Sequence, residues 1–522
     1  MIQVKEYSRT KNSLLNFLSG TGCQMMTLLL RFIVRTAFIY TLGKEYLGID
    51  GLFSNIISML SLTELGFGTA ITFKLYKPIA DKDETRIRVL IKFYKRAYIV
   101  IGIIILLLGL MLIPCLPILI KDYHHLQQLQ INVPLLFVIY LMQSVSTYWF
   151  FAYTTIIITA SQKTYILYAI TIFNDIVKSS IQVAILLIWK DFLLYVLAVV
   201  VYNFFGGWVN AFVARKLFPY AFKKENKSME RAEVKDIIKD CGALFLNKMN
   251  GVTHKVCDNF VLSSFIGIAI VGLYSNYVLL MVASAGIIGK FYGSMMASMG
   301  NLFATSNVEK SYGFFEALNF SSILLYGTHA AIIFLLFDDI IRVWIGEDFV
   351  IPQPCALLMG IEMIVSGLKS NLGQVRSSTG AFRQKWFRPV LGIIINVALS
   401  IALVKPLGIC GVLIGTIIAD VSTVLAIDPF VIHKYSFQGY KPAWYYYKKN
   451  IIYVGILCVL MMIDFFVCQC LTTGVLLIDI LLHGLVCLVS IPPVFLYLYR
   501  NTSYVQYIYA KGGYLARIVK NK

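Results

Sequence analysis

The stretch Ile99-Val-Ile-Gly-Ile-Ile-Ile-Leu-Leu-Leu-Gly-Leu-Met-Leu-Ile113 contains no charged residue, and similar runs recur along the whole chain. A helix needs about 20 mainly apolar residues to cross the hydrocarbon core of a bilayer. Hydrophobic residues make up 58% of the 522 residues and charged residues 14%, whereas soluble domains carry roughly 25% charged residues. We therefore expect an all-α integral membrane protein. The composition excludes a soluble enzyme, a disordered protein and a small disulfide-stabilised secreted domain.

Runs of this kind predict about fourteen transmembrane helices, with boundaries good to a few residues. The predicted spans are 12–42, 46–76, 88–113, 132–153, 164–189, 191–215, 241–264, 268–296, 313–337, 352–372, 386–404, 407–432, 450–470 and 474–499.

The distribution of Lys and Arg predicts the orientation of these spans. With the N-terminus inside, 30 Lys and Arg fall in cytoplasmic segments and 5 in outer loops. Because positive residues accumulate on the cytoplasmic side, we expect both termini in the cytoplasm. The same bias accounts for most of the net charge of +19, so no nucleic-acid partner is expected.

An internal repeat predicts the domain organisation. Gly51-Leu-Phe-Ser-Asn55 recurs as Gly272-Leu-Tyr-Ser-Asn276, 221 residues later, each near the start of an even-numbered span. Parallel repeats of this kind are typical of transporters, and they predict two pseudo-symmetric six-helix lobes followed by two extra helices. The predicted divisions are an N-terminal lobe at 1–215, a cytoplasmic linker at 216–240, a C-terminal lobe at 241–432, and two further helices with a basic cytoplasmic tail at 433–522.

Cations inside the spans are the main candidates for binding a substrate, because ionisable groups in lipid are costly and usually face a cavity. Arg35 lies 16 residues before the first repeat motif and Lys255 lies 17 before the second. A cleft flanked by these two helices would attract an anionic, phosphate-bearing substrate. The candidate substrate-binding residues are Arg31, Arg35, Lys248, Lys255 and Lys290.

Acids inside the spans are candidates either for coupling transport to Na⁺ or H⁺ or for pairing with the cations. They are Glu64, Asp258, Glu316, Glu362 and Asp420. For Glu64 we favour a pair with Arg31 or Arg35, since the first two helices should be neighbours. Asp175 and Lys178, three residues apart on one helix, are expected to neutralise each other.

No enzyme motif is present: the chain lacks a phosphate-binding loop, His-Glu-x-x-His and Gly-x-Ser-x-Gly. We therefore expect no catalytic residues and no cofactor beyond a coupling ion. His124-His125 lies in a predicted outer loop with no convincing third ligand, so no metal site is expected. Gly411-x-x-x-Gly415 is interpreted as a helix-packing motif.

Several blocks resemble the Wzx-like polysaccharide and O-antigen flippases of the MOP superfamily, which are relatives of the MATE exporters and of the lipid II flippase. The first blocks are Arg35 to Ile39, Tyr46 to Asn55 and Leu62 to Gly68. Further matching blocks are Asp258-Asn259, Gly272 to Asn276, Ala297 to Leu302, Arg342 to Gly346, Arg388-Pro389 with Asn396, and Gly408 to Thr416.

This resemblance implies a MATE-like fold and a substrate. Such proteins move undecaprenyl-pyrophosphate-linked oligosaccharide repeat units across the bacterial cytoplasmic membrane, by alternating access around a cationic central cavity. The final polymer is O-antigen, capsule or exopolysaccharide, and the implied partners are membrane lipids, a polysaccharide polymerase and other assembly proteins. Arg35 lies in a matching block, so the resemblance implies a contact with the substrate headgroup there.

Three alternatives stay open from the sequence. A MATE-type multidrug exporter should have a cavity dominated by acids, whereas cations are at least as prominent here. A membrane polysaccharide polymerase or ligase should carry a large outer loop with catalytic groups, and the predicted outer loops are short. A scaffold for other biosynthetic proteins is the third alternative.

Overall fold

A computed structural model describes residues 9–61, 67–121, 123, 132–227, 229–235, 237–238, 257–379, 381, 384–385 and 387–506. Within these ranges the regular elements are all helical. In the described part of the chain, twelve helices are long and apolar enough to cross a membrane. The predicted all-α membrane fold is therefore confirmed.

The predicted count of fourteen spans is not confirmed, because two predicted spans lack a matching long helix. The span predicted at 46–76 is represented by helices of 17 and 14 residues on either side of 62–66, which lie outside the described residues. Most of the span predicted at 241–264 also lies outside them, with only 257–264 described, as helix. The two additional spans stay a prediction.

Chain contacts divide the molecule into a first unit, Met1–Gly272, and a second unit, Leu273–Lys522. The helices that begin in the first unit are α1 Arg9–Leu42, α2 Lys44–Leu60, α3 Phe67–Ala80, α4 Glu84–Leu112, α5 Leu116–Leu119, α6 Val133–Ser146, α7 Ala152–Ala160, α8 Thr164–Ile188, α9 Phe192–Leu217 and α10 Ile268–Thr305, which continues into the second unit. A π-helical turn, Thr147–Phe151, joins α6 to α7.

Three helices of the first unit begin at a residue whose side chain accepts a hydrogen bond from the amide three residues later. These N-caps are Asp83 for α4 at 2.9 Å, Asn132 for α6 at 3.1 Å and Asp191 for α9 at 2.8 Å. Such caps satisfy one of the amides left without a partner in the first turn. A short polar residue before an apolar run thus determines where each span begins.

Close helix contacts in the first unit occur at small or polar residues. The Asn16 amide of α1 donates to the Gln162 carbonyl at 2.9 Å and accepts from the Tyr165 amide at 2.8 Å, which fixes α1 along α8. At Gly109 in α4, an added Cβ would lie 2.4 Å from the Leu141 side chain of α6. The hydrophobic effect does not drive helices together inside lipid. Close packing and hydrogen bonds of this kind therefore determine how the helices are arranged.

The second unit is built around one long enclosed helix. Its helices are α11 Val308–Ile345, α12 Gln353–Ser378, α13 Arg388–Leu407, α14 Ile409–Asp420, α15 Ala426–Val431, α16 Trp444–Cys470 and α17 Leu476–Leu498. In the most apolar 18-residue stretch of α11, 67% of the residues are buried, whereas in the corresponding stretch of α17 only 22% are buried. An amide network ties three helices together, since Asn319 of α11 donates to Asn450 of α16 at 3.0 Å and accepts from Asn371 of α12 at 3.3 Å.

The hairpin of α13 and α14 confirms the packing role predicted for the Gly411 and Gly415 pair. Gly408 ends α13 with a φ of 60°, in the region that favours glycine. An added Cβ at Gly411 would lie 2.2 Å from the Leu403 carbonyl oxygen, and one at Gly415 would lie 2.7 Å from the Ser400 hydroxyl. The two glycines therefore let the helix backbones approach closely.

The division into units differs in position from the predicted linker at 216–240. Residues of the segment 257–272 pack within the first unit: the Ser263 hydroxyl donates to the Leu119 carbonyl at 2.7 Å, and the Lys121 amide donates to the Ser263 carbonyl at 3.2 Å. The predicted division rests on the internal repeat, whereas the two units are defined by contacts within the chain. The predicted lobes at 1–215 and 241–432 and the two further helices at 433–522 therefore stay a prediction.

The segment after α9 lies against the start of α4. The Arg88 Nε donates to Glu225 Oε2 at 3.1 Å, and Lys92 Nζ donates to the Glu225 carbonyl at 2.8 Å. Hydrogen bonds from the Lys227 amide and from Arg88 hold the pKa of Glu225 below its usual value. A lowered carboxylate pKa means that this contact is complete at neutral pH and is lost only as the pH falls through the lowered value.

Replacing Glu225 with glutamine should loosen this segment, because the charge-assisted bond to Arg88 is lost while the side chain keeps its size. We expect a several-fold faster tryptic cleavage after the exposed Lys223 and Lys224 in membranes at pH 8. Glu230→Gln, an exposed acid in the same segment, is the matched control. Equal cleavage of Glu225→Gln and wild type would show that Arg88 does not restrain the segment.

Candidate functional site

A polar cluster lies inside the first unit, surrounded by membrane helices. It is formed by Arg35 of α1, Asp50 of α2, Tyr140 of α6 and Tyr195 of α9, and we call it the Arg35–Asp50 cluster. The Tyr140 hydroxyl donates a short hydrogen bond to Asp50 Oδ1. Asp50 and Tyr195 are electrostatic neighbours of the Arg35 guanidinium. Both tyrosines are 8% exposed.

Aromatic rings enclose this cluster. The Phe38 ring, one helical turn after Arg35, packs edge-on against Tyr195 at 5.1 Å, and the Phe53 ring packs against Tyr140 at 5.6 Å. Phe38 is 2% exposed and Phe53 is fully buried. Low polarity around a charge pair strengthens its interaction. The walls therefore place Arg35 and Asp50 in surroundings of low polarity, where each charge acts strongly on the other.

The chemistry of the cluster suits an anion that can compete with a carboxylate. A guanidinium presents five N–H donors in a planar fork that matches a carboxylate or a phosphate in two parallel bonds. Among the described residues, Asp50 is the carboxylate whose charge acts on Arg35, and a phosphate could bind the same guanidinium. Asp50 was not among the predicted site residues, although it lies within the matching block Tyr46 to Asn55.

Of the other predicted cations, Arg31 is the one whose side chain lies in the described part of the chain. Arg31, one turn earlier on α1, is exposed. Lys290 lies on α10, but its side chain is not described, and Lys248 and Lys255 fall outside the described residues. Their predicted contact with a substrate stays a prediction.

Two of the predicted acids lie in ion pairs of the second unit. Glu316 of α11 pairs with Lys449 of α16. Asp420, 1% exposed at the end of α14, accepts a hydrogen bond from Lys369 Nζ at 2.6 Å. The first pair joins α11 to α16 and the second joins α12 to α14, so both contacts tie helices of the second unit together.

The remaining predicted acids have no role that the described contacts define. Asp258 is 3% exposed in the helical segment 257–265, and Glu362 is half-buried on α12. Glu64 lies outside the described residues, and so does its predicted pair with Arg31 or Arg35. For all three, ion coupling stays a prediction.

The predicted neutralisation of Asp175 by Lys178 is confirmed. Lys178 Nζ donates to Asp175 Oδ1 at 3.1 Å on α8. This pair could be found from sequence because residues three apart share a helix face.

A second buried charge cluster was missed by the sequence reasoning. Asp428 of α15, fully buried, pairs with both Arg376 of α12 and Arg388 of α13. Arg376 also donates to the Gln384 carbonyl at 2.6 Å. Arg388 lies in one of the matching blocks, but nothing in the sequence joins it to an aspartate 40 residues later.

The part of the chain that contains the Arg35–Asp50 cluster matches a known protein family. A family model described as "Polysaccharide biosynthesis protein" matches residues 13–296, which is more than half of the chain. The chain belongs to this family. No curated protein sequence matches the chain significantly. All four residues of the Arg35–Asp50 cluster therefore lie within the segment that matches this family.

Solved structures agree on the fold. The lipid II flippase MurJ in an inward closed conformation matches 94% of this chain and 99% of its own, with a TM-score of 0.58 and 17% identity. An inward-facing multidrug resistance MATE transporter of the MOP superfamily matches 81% and 99%, with a TM-score of 0.56 and 14% identity. The Vibrio cholerae MATE transporter VcmN, solved as a point mutant, matches 85% and 98%, with a TM-score of 0.55 and 14% identity.

These identities show the fold alone, and together with the family they confirm the resemblance found in the sequence. The protein is a multi-pass membrane protein of the polysaccharide biosynthesis family, with a fold similar to those of the MATE transporters and of MurJ.

Proposed function

We propose that this protein is a flippase that moves undecaprenyl-pyrophosphate-linked oligosaccharide repeat units across the bacterial cytoplasmic membrane. The units would serve O-antigen, capsule or exopolysaccharide assembly, and both termini would lie in the cytoplasm. Membership of the polysaccharide biosynthesis family supports the pathway, and the fold is shared with a lipid II flippase. The observation that carries the proposal is Arg35, a guanidinium held among membrane helices within the family-matched segment.

The role proposed for Arg35 follows from competition between two anions. At rest its guanidinium interacts with Asp50. A pyrophosphate carries more negative charge than one carboxylate and also offers bidentate geometry, so it can displace Asp50 from Arg35. Asp50 would then keep its bond from Tyr140 and, without the neighbouring cation, could take up a coupling ion in its place. In this proposal the coupling ion is H⁺, and Asp50 is the group that binds it.

The test is an analysis of polyprenyl-linked sugars in a deletion strain, by extraction and mass spectrometry. We expect completed pyrophosphate-linked repeat units to accumulate several-fold while surface polymer disappears. Intact cells are also treated with periodate, which oxidises vicinal diols and does not cross the membrane. Units that never reach the outer leaflet should survive this treatment and should become sensitive after permeabilisation.

The controls separate the alternatives. Wild-type protein supplied from a plasmid should restore both lipid pools and polymer. Accumulated units that periodate destroys in intact cells would assign the protein to a step after translocation, such as polymerisation. Unchanged pools and unchanged polymer would contradict the proposal, and expulsion of cationic dyes would then be the next assay.

A further inference from the structure

A cavity of about 320 Å³ lies within the first unit, between the α6–α7 π turn and helices α8 and α9. Its polar lining is dominated by Asn174, Asp175 and Lys178 of α8 and by Tyr202, Asn203 and Asn210 of α9; we call it the amide cavity. These positions lie near the middle of two helices long enough to span the membrane. Polar groups at that depth are costly and are usually functional.

Specific sequence features form the amide cavity. The π turn Thr147–Phe151 places Phe151 against α9, and such turns are frequent at functional sites. Two adjacent glycines let α9 approach: an added Cβ at Gly206 would lie 2.9 Å from Asn174 Nδ2, and one at Gly207 would lie 2.2 Å from the Phe151 ring. The position and shape of the cavity therefore depend on the π turn and on these two glycines.

The ionisable pair in this cavity leaves no net charge. Asp175 accepts hydrogen bonds from Lys178 Nζ at 3.1 Å and from the Thr27 hydroxyl of α1 at 2.8 Å. With the carboxylate paired in this way, the pair attracts neither a pyrophosphate nor an organic cation strongly. A ligand for this cavity is therefore expected to be neutral.

Two residues that line the cavity each carry a side-chain acceptor that lacks a donor among the described residues. The side-chain oxygens of Asn174 and Asn210 are buried and have no hydrogen-bond partner there. A buried polar atom without a partner is destabilising, so these positions are suited to a ligand that brings donors. Hydroxyl groups fit this requirement, and they can also accept from Lys178.

We infer that the amide cavity binds a neutral sugar residue of the transported glycan. A sugar supplies several hydroxyl donors at once, and the Phe151 and Tyr202 rings in the lining offer apolar surface to its C–H face. The volume is at the lower end of the range for ligand sites, about 300–1,000 Å³, which suits one or two sugar units. This inference rests on the proposed function, because a glycan reaches the middle of the membrane only while it is being translocated.

Leucine variants test the two acceptors. Asn174→Leu and Asn210→Leu remove the oxygen and keep a similar volume, and each should lower surface-polymer synthesis about tenfold at equal protein abundance. The midpoint of thermal unfolding in detergent should stay unchanged or rise, because a buried group without a partner has been removed. Val201→Leu, on the exposed face of α9, is the matched control. Full activity of both asparagine variants, or loss of stability equal to the loss of activity, would overturn the inference.

A photocrosslinking experiment tests the ligand directly. Benzoylphenylalanine introduced at Thr155, which lines the cavity, should on irradiation in cells form an adduct whose extra mass is that of the lipid-linked repeat unit. The same group at Val201 should form no glycan adduct. If repeat units accumulate in the deletion strain and Thr155 forms no such adduct, the amide cavity is not a sugar site while the flippase proposal stands. If no units accumulate, the proposed function itself fails.

Discussion

Replacement of Arg35 by alanine is expected to lower surface polysaccharide about 10- to 100-fold, while the protein still reaches the membrane. This range corresponds to the loss of one charged hydrogen bond, which contributes about 1.5–3 kcal/mol. Lipid-linked repeat units should accumulate as in the deletion strain. Lysine at this position should restore activity only in part, because an ammonium keeps the charge and loses the planar fork. The readouts are polymer by immunoblot and lipid-linked sugars by mass spectrometry.

The controls for Arg35 follow from its contact with Asp50. Removing the guanidinium alone leaves Asp50 without its nearest cation, and this can lower the amount of folded protein. The double variant Arg35→Ala/Asp50→Asn removes the leftover charge, so its abundance should recover while transport stays low. Lys190→Gln, an exposed cation in the turn between α8 and α9, should behave like wild type. Normal transport by the double variant at normal abundance would remove Arg35 from the mechanism.

Replacement of Asp428 by asparagine is expected to give the largest loss of stability, about 3–5 kcal/mol. Two guanidinium groups share this carboxylate, and Arg376, Arg388 and Asp428 are 5%, 8% and 0% exposed. Without the carboxylate, two like charges stay buried next to each other. The unfolding midpoint in detergent, followed by size-exclusion chromatography of a fluorescent fusion, should fall markedly, and less protein should reach the membrane.

A surface ion pair of the same unit provides the control for Asp428. Glu347 lies 3.5 Å from Arg342 with its side chain 83% exposed, and exposed pairs contribute only about 0–1 kcal/mol. Glu347→Gln should therefore leave the midpoint nearly unchanged. A triple variant that replaces the buried charges with Met and Leu should regain stability, as is common for buried ion clusters. If Asp428→Asn matched wild type, the cluster would not stabilise the second unit.

The transmembrane helices could be predicted because apolarity along a segment is a local property. Twelve of the predicted spans correspond to long helices, and their starts coincide with capping residues such as Asp191 and Asn132. The contact between Asp175 and Lys178 could be predicted for the same reason, since helix geometry places residues three apart on one face.

The partner of Arg35 could not be predicted because it depends on packing between distant helices. The predicted pair with Glu64 lies outside the described residues, and the acid described near Arg35 is Asp50, whose hydrogen-bonding partner Tyr140 lies 90 residues further along. The pairing of Asp428 with arginines 52 and 40 residues away is equally non-local. No pattern in a single sequence specifies which charges in separate helices will meet.

The sequence by itself therefore determined the class of the protein, its spans and its family resemblance, because these depend on composition, on local periodicity and on short blocks of residues. The tertiary structure decided which buried charges form pairs, and it revealed a neutral polar cavity around Asn174 and Asn210. The physical reason is that a charge or an amide in a membrane helix acquires its energetic consequence only from the groups that packing places within hydrogen-bonding distance.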